Sequence, residues 1–199
     1  VQFLSAPASF EHWLLLGVPG LYAEVVINVC AIFACGIVTW TFLEYLIHGW
    51  LSHVLPTFVS QLHQVHHRDP RAVFAIGAWL PLAVLWLAAV VLFGFNSAVI
   101  YLTGILTGFA AYEALHYRIH FCQAQNSIER YLRTRHLLHH HRTPGNYLGV
   151  TSPFWDVLFG TELQLPADAA AFSARIGVLE GPTNLSLLFR FHYLQRNRY

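Results

Sequence analysis

The sequence predicts an all-α membrane protein with about three transmembrane helices and a helical cap on one side. Three observations predict it. Hydrophobic residues make up 56% of the 199 and charged residues only 11%, a balance far from that of soluble domains. Long apolar runs occupy 22–47, 73–95 and 97–117, each long enough for about 30 Å of hydrocarbon. Between and after them, ten of the thirteen histidines stand in helical spacings, which marks helices outside the bilayer.

Taken in order, Val1 to Gly20 reads as a short interfacial helix, since it lacks the basic start of a cleavable signal. Tyr22 to Ile47 is the first span, with Glu24 and Asn28 one turn apart at an interface. From Val54 to Arg71 the pattern is amphipathic and carries Pro56, Gln61, Gln64, Arg68 and Asp69, so this part lies outside the hydrocarbon. Val73 to Phe95, interrupted by Pro81, is the second span. The short uncharged turn Gly94 to Asn96 folds it back onto the third, which runs to about Tyr117. Asn126 to Arg142 is a cap helix, ended by Pro144-Gly145-Asn146. The aromatic, Gly-rich segment 147–161 lies on the cap or the membrane surface, and the tail from Leu187 suits an interface. The whole chain, 1–199, is expected to be one domain whose cap is built from 48–72 and 118–162.

Charge orients this arrangement. There is no lysine, and none of the eleven arginines precedes Arg68 or falls between Arg71 and Arg118. All of them therefore share one side, which the positive-inside rule makes cytoplasmic. A multi-pass protein of a bacterial inner membrane is expected, or of the endoplasmic reticulum if the source is eukaryotic. The absence of a basic stripe excludes nucleic acid as a partner. Cys30, Cys35 and Cys122 have neither disulfide nor zinc-finger spacing.

The histidines carry the chemistry. His48 and His53 are five apart and precede His63, His66 and His67; His116 and His120 are four apart and precede His136, His139 and His140. Each half is thus a pair followed by HxxHH. Residues three and four apart share a helix face, so each HxxHH is expected to present three imidazoles to one point. Two half-sites would then close around one metal centre of two ions. Imidazole suits zinc, iron, copper and nickel, whereas magnesium and calcium prefer oxygen donors. Ten ligands exceed the four of a structural zinc and point to a catalytic centre that keeps positions for water or dioxygen. Glu44, Glu113, Asp69 and Asp156 are candidates to orient ligand imidazoles from outside the centre, against the plainer readings of interfacial carboxylates and a turn residue. Arg118, Arg135 and Arg142 either meet a lipid phosphate or carboxylate or serve topology. A membrane cytochrome with histidine-bound haem and a metal transporter or sensor are the competing readings; neither needs HxxHH triplets.

The segments Glu44-Tyr45-Leu46-Ile47-His48, His63-Gln64-Val65-His66-His67, His116-Tyr117-Arg118-Ile119-His120-Phe121, His136-Leu137-Leu138-His139-His140 and Gly149-Val150-Thr151-Ser152-Pro153-Phe154-Trp155-Asp156 together resemble the fatty acid hydroxylase and sterol desaturase superfamily. The likeness covers about residues 40 to 162 and is greatest to fatty acid 2-hydroxylases. It implies a membrane-embedded di-iron monooxygenase that hydroxylates the acyl chain of a fatty acid or lipid with dioxygen, its ligands matching the ten histidines named above. Zinc is an alternative occupant in a purified sample. His141 is extra to the pattern and joins the candidates that orient the ligands from outside the set. The cytochrome b5 domain fused to some relatives is not in this sequence, so a separate cytochrome b5-like or ferredoxin-like donor is expected. Sterol or carotenoid chemistry on the same scaffold stays open, as does the oligomeric state.

Overall fold

The structure, a computed structural model, describes residues 18–71 and 76–176. Nearly all of the expected N-terminal interfacial helix, His12, His192, the first residues of the expected second span and the tail from Leu187 lie outside the described residues. Within them every regular element is a helix. Helix α1 is Val18–Leu46 and runs directly into a π-helical turn, Ile47–Leu51; α2 is Phe58–Arg68, α3 Ile76–Phe93, α4 Ser97–Phe121, α5 Ser127–His141, α6 Phe154–Phe159 and α7 Ala169–Ile176.

Apolar sequence explains α1 and α4, and backbone contact explains how they pair. A Cβ on Gly36 would lie 2.2 Å from the Tyr101 carbonyl oxygen and 2.9 Å from Gly104 Cα, while one on Gly104 would lie 2.2 Å from the Phe33 carbonyl oxygen. Two glycines therefore face each other and let the helices touch, which is how helices pack where lipid removes the hydrophobic drive. The Tyr101 hydroxyl donates to Thr39 Oγ1 at 2.8 Å across the same seam. Trp86 Nε1 donates to Thr103 Oγ1 at 2.9 Å and ties α3 to α4. The turn between those two helices ends at Asn96, whose side chain accepts from Val99 N at 3.0 Å and caps α4.

Among the described residues, two helical stretches, Tyr22–Leu51 and Ser97–Phe121, are long and apolar enough to cross a membrane; the apolar part of α3, Leu82–Phe93, is shorter. Val25, Val26, Ile27 and Val38 on α1 and Val84, Leu85, Val91 and Leu92 on α3 are each more than half exposed. Apolar surface that extensive suits lipid contact and would be a liability in water. The first stretch outruns its expected end at Ile47, and the last runs beyond Tyr117, so His48, His116 and His120 stand on the ends of the membrane helices themselves.

The polar helices form the opposite end. Thr57 and Ser60 cap α2 reciprocally, Ser60 N donating to Thr57 Oγ1 at 3.2 Å and Thr57 N to Ser60 Oγ at 3.0 Å. Asn126 caps α5 by accepting from Glu129 N at 2.8 Å. Although α5 is rich in charge, it is buried from Leu132 to His139. Leu137 and Leu138 pack on Tyr147, Ala169 and Phe172, and Leu132 packs on Ile119 and Val150. Among its buried polar side chains, Arg135 is ion-paired, Thr134 donates to Arg130 O, and His136 and His139 meet other histidines.

Candidate metal centre

All ten expected histidines converge, in two groups of five. One holds His48, His53, His63, His67 and His139; the other holds His66, His116, His120, His136 and His140, and within each group one ring nitrogen per residue lies within 4.8 Å of the others. The groups adjoin: the rings of His67 and His140, one from each, stack at 4.1 Å. Three imidazoles of one HxxHH do not meet at one point, contrary to the expectation. His63 and His67 enter one group while His66 enters the other, and His136 and His140 separate in the same way from His139. The reason is angular. At 3.6 residues per turn, positions i+4 and i+3 fall about 40° to one side and 60° to the other of position i, so the triplet straddles the seam between the groups.

Local structure explains how the irregular pair joins. Residues five apart stand about 140° apart on an α-helix, which would send His48 and His53 in different directions. The π turn corrects this: Ser52 N donates to Ile47 O across five residues, bringing the two imidazoles to the same side. The regular four-residue spacing of His116 and His120 needs no such device.

Ring nitrogens are aimed by carbonyls. His48 Nδ1 donates to Leu148 O, and His139 Nδ1 donates to Asn146 O at 2.9 Å. In a neutral imidazole this fixes the other nitrogen as a lone pair turned inward. Burial, reinforced by neighbouring histidines, holds the His63, His136, His139 and His140 imidazoles far below the ordinary histidine range, and lowers His67 to about 3. His53, which stays largely exposed, is lowered by its partial desolvation. Neutral imidazole is the form that ligates metals.

The donor set fits metal ions. Imidazole nitrogens lie roughly 2.0–2.1 Å from a bound first-row ion such as zinc, so two at right angles stand about 3.0 Å apart, and two at a tetrahedral angle about 3.4 Å. The closest Nε2 separations are 2.9 Å for His53–His63, 3.0 Å for His120–His136, and 3.1 Å for His53–His139, His67–His139 and His116–His136. These spacings are short enough for neighbouring imidazoles to share one ion. Nε2 of His140 is buried with no hydrogen-bond partner among the described residues, as a ligand atom would be.

Behind the His48 group lies a buried ionic clasp. Asp156, fully buried, accepts from Leu148 N and Thr161 Oγ1 with Oδ1 and from Gly149 N and Arg135 Nη2 with Oδ2, at 2.7 to 2.8 Å. Arg135 also donates to Gly149 O at 2.9 Å and pairs with Glu162 at 2.6 Å. Glu44 accepts from Val150 N and from both the amide and hydroxyl of Thr151. Two carboxylates thus grip the segment whose Leu148 carbonyl aims His48. Glu44 touches this segment and fits neither of the two readings weighed for it, a direct acceptor for an imidazole or an interfacial carboxylate, and Asp156 likewise acts through the backbone.

The other expected outer residues differ. Asp69 is exposed at the end of α2 and accepts from Arg71 N at 3.0 Å, a turn contact. Glu113 lines a cavity together with His116. His141 is exposed and its ring faces Phe172 at 6.1 Å. Arg118 pairs with Glu129 and Arg142 with Asp168, both at 2.9 Å, so the arginines considered for lipid headgroups are engaged within the chain. Sequence reasoning missed Arg135 and Glu162 as parts of the clasp. Nothing local sets Arg135 apart from Arg130, and its neighbour His136 is the only hint.

A cavity of about 280 Å³ opens beside both groups, bordered by His48, His63, His66 and His116. Its other walls include Trp40, Ile47, Val59, Leu62, Phe109 and Tyr112 from α1, the π turn, α2 and α4.

Helices fit for a bilayer, ending in two adjoining five-histidine groups on a shared apolar cavity, define a class: membrane proteins with room for a pair of metal ions. The chain belongs to the fatty acid hydroxylase family, whose model, described as fatty acid hydroxylase, matches residues 33–161. It is 37% identical over 151 residues to a dihydroceramide fatty acyl 2-hydroxylase of Arabidopsis thaliana, covering 70% of this chain and 62% of the relative. It is 32% identical to a ceramide very long chain fatty acid hydroxylase of Schizosaccharomyces pombe, over 65% of this chain and 42% of that one. A fatty acid 2-hydroxylase of Rattus norvegicus is 28% identical over 69% of this chain and 41% of its own length. The chain therefore spans less than two thirds of each of these relatives. Among solved structures it is similar to scs7p, of which the hydroxylase domain is visible, with a TM-score of 0.57 at 30% identity over 69% of this chain and 57% of that one.

Proposed function

We propose that the chain is a multi-pass membrane monooxygenase with two iron ions that hydroxylates the acyl chain of a fatty acid or lipid. One observation carries the reading: two groups of five histidine nitrogens border one apolar cavity between helices fit for a bilayer. The relatives' names support an acyl substrate and attack at carbon 2. The ten histidines would hold the ions, whose chemistry when bound is the reductive activation of dioxygen for insertion into an unactivated C–H bond. Overall, R–H, O2, two electrons and two protons give R–OH and water, so a cytochrome b5-like or ferredoxin-like donor completes each turnover.

The chain's own residues do the rest. Ile47, Val59, Leu62 and Phe109 wall the acyl chain and exclude water from the reacting carbon. Leu148 O and Asn146 O keep His48 and His139 in the ligating tautomer. In the same reading α3 belongs to a third crossing, over 73–95. The histidine end faces the cytoplasm, which the one-sided arginines support.

The test is mass spectrometry of lipids from a host expressing the chain under isotopically labelled dioxygen. One labelled oxygen on carbon 2 of an acyl chain is expected, and none with His67→Ala. Protein that carries its metal and is supplied with a reductant and acyl lipids, yet inserts no oxygen, would contradict the reading.

A further inference from the structure

We propose that Trp40, seated on Gly108, is the floor of the acyl cavity and sets how many carbons extend straight beyond the one that is oxidised. This rests on the acyl-hydroxylase reading above. Two ladders of residues line the cavity away from the histidines: His48, Glu44 and Trp40 along α1, and His116, Tyr112 and Phe109 along α4. Each step is about one helical turn. At the far end the Trp40 ring reaches across the gap, with its centroid 4.8 Å from that of Phe109 and 5.9 Å from that of Tyr112. It can do so because position 108 has no side chain, where a Cβ would lie 2.7 Å from Trp40 Cβ and 2.9 Å from its Cγ. One turn further on, Gly36 and Gly104 bring the two backbones into contact, and no chain passes between them. The cavity is closed by an aromatic plug and, beneath it, a backbone seam.

Eight residues of helix separate His48 from Trp40, about 12 Å of rise. An extended chain advances about 1.2 Å per bond, so roughly ten carbons fit straight before the plug. Longer chains must bend out toward lipid. Trp40 Nε1 is buried without a hydrogen-bond partner among the described residues, so packing alone holds the ring, and a smaller residue there would orphan no polar group.

The experiment compares the parent with Trp40→Leu and Gly108→Ala on a mixture of saturated acyl chains of graded length, reading the ratio of hydroxylated products. Trp40→Leu deepens the floor and should shift the ratio toward longer chains. Gly108→Ala displaces the ring from its seat and should change the ratio as well. Each change is about fourfold per methylene gained or lost. Ratios are internal to each sample, so a variant that folds in lower yield still reports. Unchanged ratios in both variants overturn the proposal while leaving acyl hydroxylation intact. A second readout needs no turnover: a fatty acid with a photoreactive diazirine about ten carbons from its carboxyl is irradiated on the parent protein. Labelling of Trp40 or Phe109 supports the floor and labelling elsewhere overturns it, even if the parent hydroxylates no chain and the catalytic reading itself fails.

Discussion

Asp156→Asn should loosen the metal centre without touching a histidine. Four donors converge on this carboxylate: Leu148 N and Thr161 Oγ1 on one oxygen, Gly149 N and Arg135 Nη2 on the other. Asparagine has the same shape but turns one oxygen into an NH2, which must then face two donors. Breaking one partner of a buried ion pair costs about 3–5 kcal/mol. Because Arg135 keeps Glu162, the lower end applies to the charge, and one orphaned amide adds about 1–3 kcal/mol. The sum, about 4–6 kcal/mol, rivals the whole stability of many domains. The segment it releases carries the carbonyl that aims His48, and loss of such outer support lowers metal affinity about 10–100-fold. The assay is thermal unfolding in detergent together with metal retention against a graded chelator, with Asp168→Asn as control. Asp168 is about half exposed in its pair with Arg142, and exposed pairs contribute little. Parent-like melting and metal retention in Asp156→Asn, or equal losses in both variants, would refute the argument.

Two further outcomes follow from the geometry. Gly36→Ala places a methyl 2.2 Å from the Tyr101 carbonyl oxygen; backbone cannot yield as a side chain can, so a loss of about 1–3 kcal/mol or more is expected, read as a lower melting temperature, and an unchanged one would mean that the α1–α4 seam is looser than described. His139→Ala removes a ligand from the His48 group although it lies on the helix that supplies the other group; bound metal should fall from about two ions per chain toward one, and a full complement after dialysis would contradict the assignment.

How much of this was legible in sequence differs by element. Apolar runs announced α1 and α4 because a bilayer demands both length and hydrophobicity, and neither depends on distant residues. Their ends were less legible. The π turn after Leu46 leaves no periodic trace, since five residues cannot establish a period, yet it lets spacing-five histidines act together. The histidines were legible as a set from their number and repeated spacing, but their partition was not. Glu44 was read against its neighbour His48, one turn away, whereas its partners are Val150 and Thr151, more than a hundred residues along. Arg135 was read as meeting a lipid phosphate or carboxylate or as serving topology, and only the fold shows Asp156 and Glu162 waiting beside it. Local spacing tells which side chains share a face; it does not tell what faces them.

The partition of the two HxxHH segments has a consequence that one shared point would not. Each group takes a pair and an i, i+4 couple from its own half of the chain and a single histidine from the other: His139 for the first, His66 for the second. Neither group can be completed until α2 and α5 meet. In the first group the exchanged ligand sits close to two resident ones: His139 Nε2 lies 3.1 Å from both His53 and His67. Its aim is set by Asn146 O, two residues before the carbonyl that aims His48, so the segment gripped by Glu44 and Asp156 orients the exchanged ligand and a resident one together. Because ligation and folding share free energy, a metal held by either group would also fasten the polar helices to the helices that carry His48 and His116.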